Sequence, residues 1–148
     1  MVAGIVEALF TAPAAGEPML AHRRVELLPG IGIAGDRYAL KTGHWSDPRW
    51  PDQELTLVEA ELLEELGLPT DGLRRNIVTR GIQLDGLLGS EFRIGDARLV
   101  AIRVCDPCRY IETLTRDGLF TELAGRGGIR ARILEAGSIE VGDAIAPA

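Results

Sequence analysis

The sequence predicts a mainly β fold, a barrel or closed sheet of many short strands with one clear helix and one or two short ones. Three observations carry this expectation. Short apolar runs recur along the chain, glycine turns punctuate them, and Gly95-Asp96 and Gly142-Asp143 each sit between strand-like segments as a hairpin turn does.

Taken in order, Val2 to Phe10 is apolar with Glu7 interrupting and reads as a first strand; the Pro and Gly of Thr11 to Pro18 make the following loop. Ala21 to Leu28 reads as a second strand. Gly30-Ile31-Gly32-Ile33-Ala34-Gly35 then matches the dinucleotide-binding pattern G-x-G-x-x-G letter for letter. That pattern works only where a helix follows at once and receives a pyrophosphate at its N-terminus. Asp36 to Asp52 holds Gly43, Pro48, Pro51 and both tryptophans, a composition unable to carry a regular helix far, and Pro29 interrupts the strand before it. A glycine-rich turn between strands is the better reading, with the glycines supplying positive φ or close backbone approach.

Gln53 to Gly67 is the clearest helix in the sequence. Thr56 and Glu59 form a capping-box pattern, Val58, Leu62 and Leu66 recur at helical spacing with Leu63 beside them, and Gly67 stands at the stop. Glu59, Glu61, Glu64 and Glu65 lie mainly off that stripe and read as a solvated face. Asn76 to Thr79 follows as a short strand and Leu84 to Gly89 as a turn. Glu91 to Ile94 with Ala97 to Val104 makes one hairpin, and Ser138 to Val141 with Ala144 to Ala146 a second. Between them lie a short helix at Leu119 to Ala124 and Gly125-Arg126-Gly127-Gly128, whose backbone amides beside an arginine suit an anion or an ordinary turn.

Length and composition bound the function. The 148 residues fit one domain, long enough to bury about two thirds of the surface the unfolded chain exposes. Net charge is −6, with 22 acidic against 16 basic residues, which opposes attraction to DNA or RNA. No apolar run reaches bilayer length and Met1 to Phe10 lacks the basic segment of a signal peptide, so no membrane partner and a cytoplasmic location are expected. Arginines are nonetheless clustered, at Arg74-Arg75, at Arg103 and Arg109, and at Arg126, Arg130 and Arg132, which leaves room for a local anion site.

Both cysteines fall in Arg103-Val104-Cys105-Asp106-Pro107-Cys108-Arg109, at the end of the strand-like run. So close a pair cannot staple distant parts of a fold, and a reducing compartment is the simpler home. A thiol becomes reactive as its thiolate, favoured by nearby cations or a helix N-terminus. Arg109 adjoins Cys108, and Tyr110 to Leu114 reads as a short helix beginning there, so Cys108 is the candidate reactive sulfur. Cys105, closing the strand before Pro107, is the buried or supporting one. Core packing of both is the simpler alternative, since free cysteine is among the most buried residue types.

With these residues in view, the chain resembles the MOSC domain family, named for the C-terminal part of molybdenum-cofactor sulfurases, and in particular its small stand-alone bacterial type. Gly35-Asp36-Arg37-Tyr38 resembles the family's G-D-R-H block, and Gln53-Glu54-Leu55-Thr56-Leu57 its Q-x-T-L approach to a helix. Leu73-Arg74-Arg75-Asn76-Ile77-Val78 resembles the L-R-x-N-I/L-V strand, Arg93-Ile94-Gly95-Asp96 the hairpin turn, and Cys108 the family cysteine in a Pro-Cys setting. Arg126-Gly127-Gly128 and Ile139-Glu140-Val141-Gly142-Asp143 complete the order, which runs from about Gly4 to Pro147 within a single domain of residues 1–148.

The resemblance implies a β-barrel-like fold in which Cys108 carries sulfur as a persulfide or ligates the molybdenum of a pterin cofactor. It further implies Arg37, Arg75, Asn76 and Arg126 as residues holding the anionic cofactor, a chemistry that guanidinium forks and soft thiolates suit. Related sequences include reductases of N-hydroxylated compounds. A sulfur carrier would take its sulfur from a cysteine desulfurase. A reductase would need an external redox partner, because no flavin or iron–sulfur motif is present. Two departures stand out: Tyr38 replaces the block's histidine with a phenol that stays protonated near neutral pH, and the separate N-terminal β domain of larger members is absent, which implies a partner subunit to complete a pterin pocket.

Three rivals remain open on the residues alone. Cys105 and Cys108 form a C-x-x-C pair that could cycle as a dithiol, although such pairs ordinarily sit in a βαβ setting. Cys105, Cys108, His22 and His44 could hold zinc, although without zinc-finger spacing. A non-catalytic module binding an anion through its arginines is the third.

Overall fold

The structure, a computed structural model, describes residues 4–42, 53–105, 114–115, 117–118 and 126–148. Its strands are β1 (Gly4–Thr11), β2 (Leu20–His22), β3 (Arg24–Leu28), β4 (Gly32–Ile33), β5 (Leu55–Glu59), β6 (Ile77–Arg80), β7 (Glu91–Ile94), β8 (Ala97–Val104), β9 (Ile129–Glu135), β10 (Gly137–Glu140) and β11 (Ala144–Pro147). Between them lie two short helices, α1 (Arg37–Leu40) and α2 (Ala60–Glu65), and a 3-10 turn at Leu84–Leu87.

Seven strands close into a barrel in the order β1-β11-β7-β8-β9-β5-β6 and back to β1. An odd number of strands cannot close with every neighbour antiparallel, so one pair must run parallel. That pair is β5 and β6, with Leu57 opposite Ile77 and Glu59 opposite Thr79. Parallel neighbours need a crossover rather than a tight turn, and α2 supplies it. β2 extends the sheet beside the C-terminal half of β1, while β11 takes its N-terminal half. β10, β3 and β4 form a separate three-stranded sheet.

Two apolar clusters follow from this closure. Inside the barrel, Val6, Leu9, Leu55, Leu57, Ile77, Phe92, Ile94, Leu99, Ile129, Ala131 and Ile133 pack with the inner residues of the smaller sheet. Outside it, α2 covers a second cluster of Phe10, Val58, Ala60, Leu63, Leu73 and Val78, with Leu62 and Leu66 against it.

The mainly β class stands, but three element readings change. The expected helix Gln53 to Gly67 divides: its first half is β5, and only Ala60–Glu65 is helical. Leu55 and Leu57 face the barrel interior while Val58 faces α2, so the strand is covered on both sides and shows no polar alternation. Thr56 is therefore no capping residue, and Glu59 caps α2 with no side-chain hydrogen bond. The expected strand Ala21 to Leu28 splits at Arg23, whose carbonyl accepts from Val141 N at 2.9 Å.

The expected closing hairpin does not pair with itself. β10 pairs with β3, and β11 with β7 and β1. Val6 N donates to Asp143 O at 2.9 Å and Gly142 N to Val6 O at 2.8 Å, so the intervening loop is tied to β1, and it keeps one turn bond of its own, from Asp143 N to Glu140 O at 3.0 Å. The hairpin of β7 and β8 about Gly95-Asp96 forms as expected. The short helix read at Leu119 to Ala124, and most of that at Tyr110 to Leu114, lie outside the described residues.

Glu59 offers a pH test of the crossover. Desolvation by burial raises its pKa above the usual 4.5, the Leu84 N–H lowers it, and the charges of Glu61 and Asp85 raise it further, for a net rise. A carboxyl that holds its proton more tightly when folded weakens the fold as pH climbs past the unfolded value, and releases that penalty below it. Glu59→Gln is therefore expected to gain stability relative to the parent between pH 4.5 and neutrality, and to match it more closely in acid. Denaturant midpoints at several pH values check this.

Candidate functional site

Gly35-Asp36-Arg37-Tyr38 is held together by one carboxylate. Asp36 is fully buried, and its Oδ1 accepts from Ala12 N at 3.0 Å and from Arg37 Nη1 at 2.9 Å while Oδ2 accepts from Tyr38 N at 3.3 Å. It thus caps α1, pins the end of β1 and neutralises a buried guanidinium. Gly30, Gly32 and Gly35 all have positive φ, and a side chain at Gly32 would strike the Glu54 carbonyl at 2.7 Å. The G-x-G-x-x-G stretch is accordingly a turn leading into a single helical turn.

Arg37 reaches on from Asp36. Its Nη2 donates to the Arg74 carbonyl at 2.7 Å, and its guanidinium lies 4.6 Å from the centre of the Tyr38 ring. Arg130, itself buried, lies 5.7 Å from the same ring. Tyr38 is therefore flanked by two cations, an arrangement its π faces favour. Arg130 stands opposite Thr56 on β5 and opposite Arg103 on β8, so basic residues converge where three strands meet.

Asn76 joins those strands. Its Oδ1 accepts from Thr56 N at 3.0 Å and Thr56 Oγ1 at 3.2 Å, its Nδ2 donates to Phe10 O at 3.1 Å, and its own N donates to Thr56 Oγ1 at 3.1 Å. This ties β1, β5 and the approach to β6 through buried polar groups. Arg75, next to it and half-buried, donates from Nε to Gly127 O at 2.9 Å. Its terminal nitrogens carry no hydrogen bond or ion pair with the described residues. Arg126 turns elsewhere: Nη1 meets Glu65 at 2.6 Å, on a groove of about 510 Å³ also lined by Glu59, Glu61 and Asp85.

Of the expected site residues, Arg37, Arg75 and Asn76 come together around Arg74, whereas the Arg126 head group sits among carboxylates. Cys108, expected as nucleophile and metal ligand, lies outside the described residues. Cys105 has a free thiol and is 1% exposed, with its N donating to Gly128 O at 2.8 Å. It is buried, as expected of the supporting sulfur. His22, weighed as a zinc ligand, shares a hydrogen bond of 2.7 Å with Thr11 Oγ1; His44 is outside the described residues. Among the described residues, no group of three or more His, Cys, Asp and Glu is arranged for a metal.

From the sequence, Asp36 and Glu54 appear only as letters of their motifs, Thr56 as a capping residue, and Arg130 only as one of a cluster of arginines. Asp36 had a legible signal, an Asp directly before a helix start. Glu54 did not: its Oε1 accepts from Gly30 N at 3.2 Å and Ile133 N at 3.0 Å, while Oε2 meets Arg132 Nε at 3.1 Å. That joins segments far apart in the chain. Gln53 is also buried, and its Oε1 has no hydrogen-bond partner among the described residues.

A barrel of this topology, with a basic cluster beside the end of β8, defines a class of small β proteins, and comparison with known proteins identifies it. The family model for the MOSC domain matches residues 50–146. The chain belongs to the MOSC domain family, and that membership supports a molybdenum-cofactor-related role in general.

Solved structures agree on the fold. The YuaD protein from Bacillus subtilis superposes with a TM-score of 0.75 at 20% identity, over 96% of this chain and 93% of that one. YiiM from Escherichia coli gives 0.68 at 15% identity, over 99% and 69% of the two chains. YiiM from Geobacillus stearothermophilus gives 0.60 at 17% identity, over 100% and 74%. No curated protein matches the chain. Among the described residues, no helix is long and apolar enough to cross a membrane.

Proposed function

We propose that this chain handles sulfur or molybdenum cofactor through Cys108, with Arg75 meeting the anionic part of the ligand. The observation that supports the reading is Arg75 itself. It is half-buried and anchored by Nε to Gly127 O at 2.9 Å, with both terminal nitrogens uncommitted among the described residues. A guanidinium so held loses little freedom on meeting a phosphate, with which it forms paired charge-assisted hydrogen bonds. The residues thus suit an anionic pterin. Arg37 and Asn76 are engaged internally and Arg126 is drawn to Glu65, which narrows the anion-holding role to Arg75.

In this reading Cys108 supplies the thiolate, as sulfur acceptor or as ligand to molybdenum, and the arginines favour the charged form. A bound molybdenum–pterin group would supply two-electron redox chemistry at its metal. Cys105, 1% exposed, supports a single working thiol over a cycling dithiol pair. The proposed partners are a cysteine desulfurase for a carrier, or an electron donor and a small N-hydroxylated substrate for a reductase, in a cytoplasmic setting.

Metal analysis and intact mass of protein made in a host that synthesises the cofactor test this. Bound molybdenum supports the reductase, and an added sulfur atom on Cys108 the carrier. Neither, from such a host, overturns both. Arg75→Met is expected to weaken binding of inorganic phosphate about tenfold, the worth of a charge-assisted hydrogen bond. Calorimetric titration measures it, and unchanged affinity removes Arg75 from the site.

A further inference from the structure

We infer that Arg37 is a positioning residue: together with Asp36 it clamps Arg74 in a left-handed backbone conformation and so sets the direction in which Arg75 points. The inference rests on the reading of Arg75 as the anion-holding side chain, and gives Arg37 a role at one remove from the ligand.

The geometry forms a relay. Asp36, fully buried, orients Arg37 through the 2.9 Å contact to Nη1. Arg37 Nη2 then donates to the Arg74 carbonyl at 2.7 Å. Arg74 has φ of 57°, and only Lys41 shares a positive φ with it among the described non-glycine residues. For a residue with a Cβ this conformation is disfavoured and persists only where surrounding contacts over-determine it. Three such contacts surround Arg74: the Arg37 guanidinium on its carbonyl, Asp71 O accepting from its N at 3.0 Å, and Glu17 O accepting from its Nη1 at 2.7 Å.

Arg75 therefore sits between a residue held against its own preference and Asn76, which is locked to Thr56 and Phe10. Were Arg74 to relax to a right-handed or extended conformation, the peptide joining it to Arg75 would turn. The Arg75 side chain would then leave its bond to Gly127 O. The charged, two-pronged donor of Arg37 opposes that turn, and lysine, with a single head, cannot serve Asp36 and the Arg74 carbonyl with the same fork.

The test reads Arg75 directly. The Arg75 Nε–H is followed by nuclear magnetic resonance, and its solvent exchange is compared in the parent, Arg37→Lys, Arg74→Gly and the double variant, each titrated with inorganic phosphate. Left-handed backbone costs an L residue an amount worth roughly tenfold in population, and glycine nothing. Arg37→Lys is expected to speed exchange of the Arg75 Nε–H about tenfold and to weaken phosphate binding with it. In the Arg74→Gly background the same substitution is expected to change either by less than about twofold, since no strain remains to be held.

Unchanged exchange in Arg37→Lys, or an equal effect in both backgrounds, overturns the inference. If exchange responds as described while Arg75→Met binds phosphate as the parent does, the positioning role stands and the anion reading of Arg75 falls. Should Arg37→Lys fail to fold, Arg37→Gln, which keeps one N–H donor, carries the same comparison.

Discussion

Serine at position 108 is expected to reduce sulfur loading and molybdenum content to background, while serine at 105 leaves both close to the parent. The two substitutions are chemically identical, so the contrast isolates place from type. A hydroxyl does not ionise near neutral pH, forms no persulfide and is a poor ligand for a metal that prefers soft thiolate. Cys105 is 1% exposed at the end of β8, and its serine variant is expected to lose about 1–3 kcal/mol of stability from burying a hydroxyl without a partner. Intact mass, metal content and denaturant unfolding read the outcomes. Equal loss of function in both variants would point to a dithiol pair, and retained function in Cys108→Ser would dismiss the proposed chemistry altogether.

Glu54→Ala is expected to be clearly destabilising, at about 1–3 kcal/mol. The carboxylate is 2% exposed and holds Gly30 N, Ile133 N and Arg132 Nε. Removing it leaves the buried Ile133 N–H without an acceptor, at about 1–3 kcal/mol, whereas Gly30 is exposed and its N–H recovers water. Arg132 has a side chain 54% exposed and recovers its hydration, so it adds little. Glu54→Gln keeps an oxygen where Gly30 and Ile133 donate and is expected to lose less than half as much. Chemical denaturation measures both, and a loss below about 1 kcal/mol for the alanine variant would show that the glycine turn and β9 stand without this staple.

Legibility followed the range of the interactions that decide each feature. The hairpin of β7 and β8 was readable because its strands, turn and pairing are adjacent in the chain. β9 carries a readable pattern, Ile129, Ala131 and Ile133 alternating with Arg130 and Arg132, which strand periodicity captures. β5 was not readable in this way. Apolar residues spaced to suit a helix also suit a strand covered on both faces, and only the barrel and α2 together show that both faces are covered. The Gly142-Asp143 turn reads locally as a hairpin, but the strands on its two sides pair elsewhere, β10 with β3 and β11 with β7 and β1.

At the site, residue types were legible and their assignments were not. The arginine clusters and the Gly-Asp-Arg block marked the region, but which guanidinium is engaged and which is available depends on Asp36, Glu65 and the Arg74 carbonyl, partners that sequence distance conceals.

By itself the sequence determined that this is a strand-rich chain with glycine turns, a fitted hairpin at Gly95-Asp96 and a family resemblance carried by ordered short motifs. These depend on local backbone preference and residue order. Tertiary structure alone decided that seven strands close with one parallel pair, that Leu55–Glu59 is a strand, and that, among the described residues, the terminal nitrogens of Arg37 are engaged while those of Arg75 are not. Each is settled by contacts between segments far apart in the chain, where closure geometry and the pairing of buried charge outweigh local propensity.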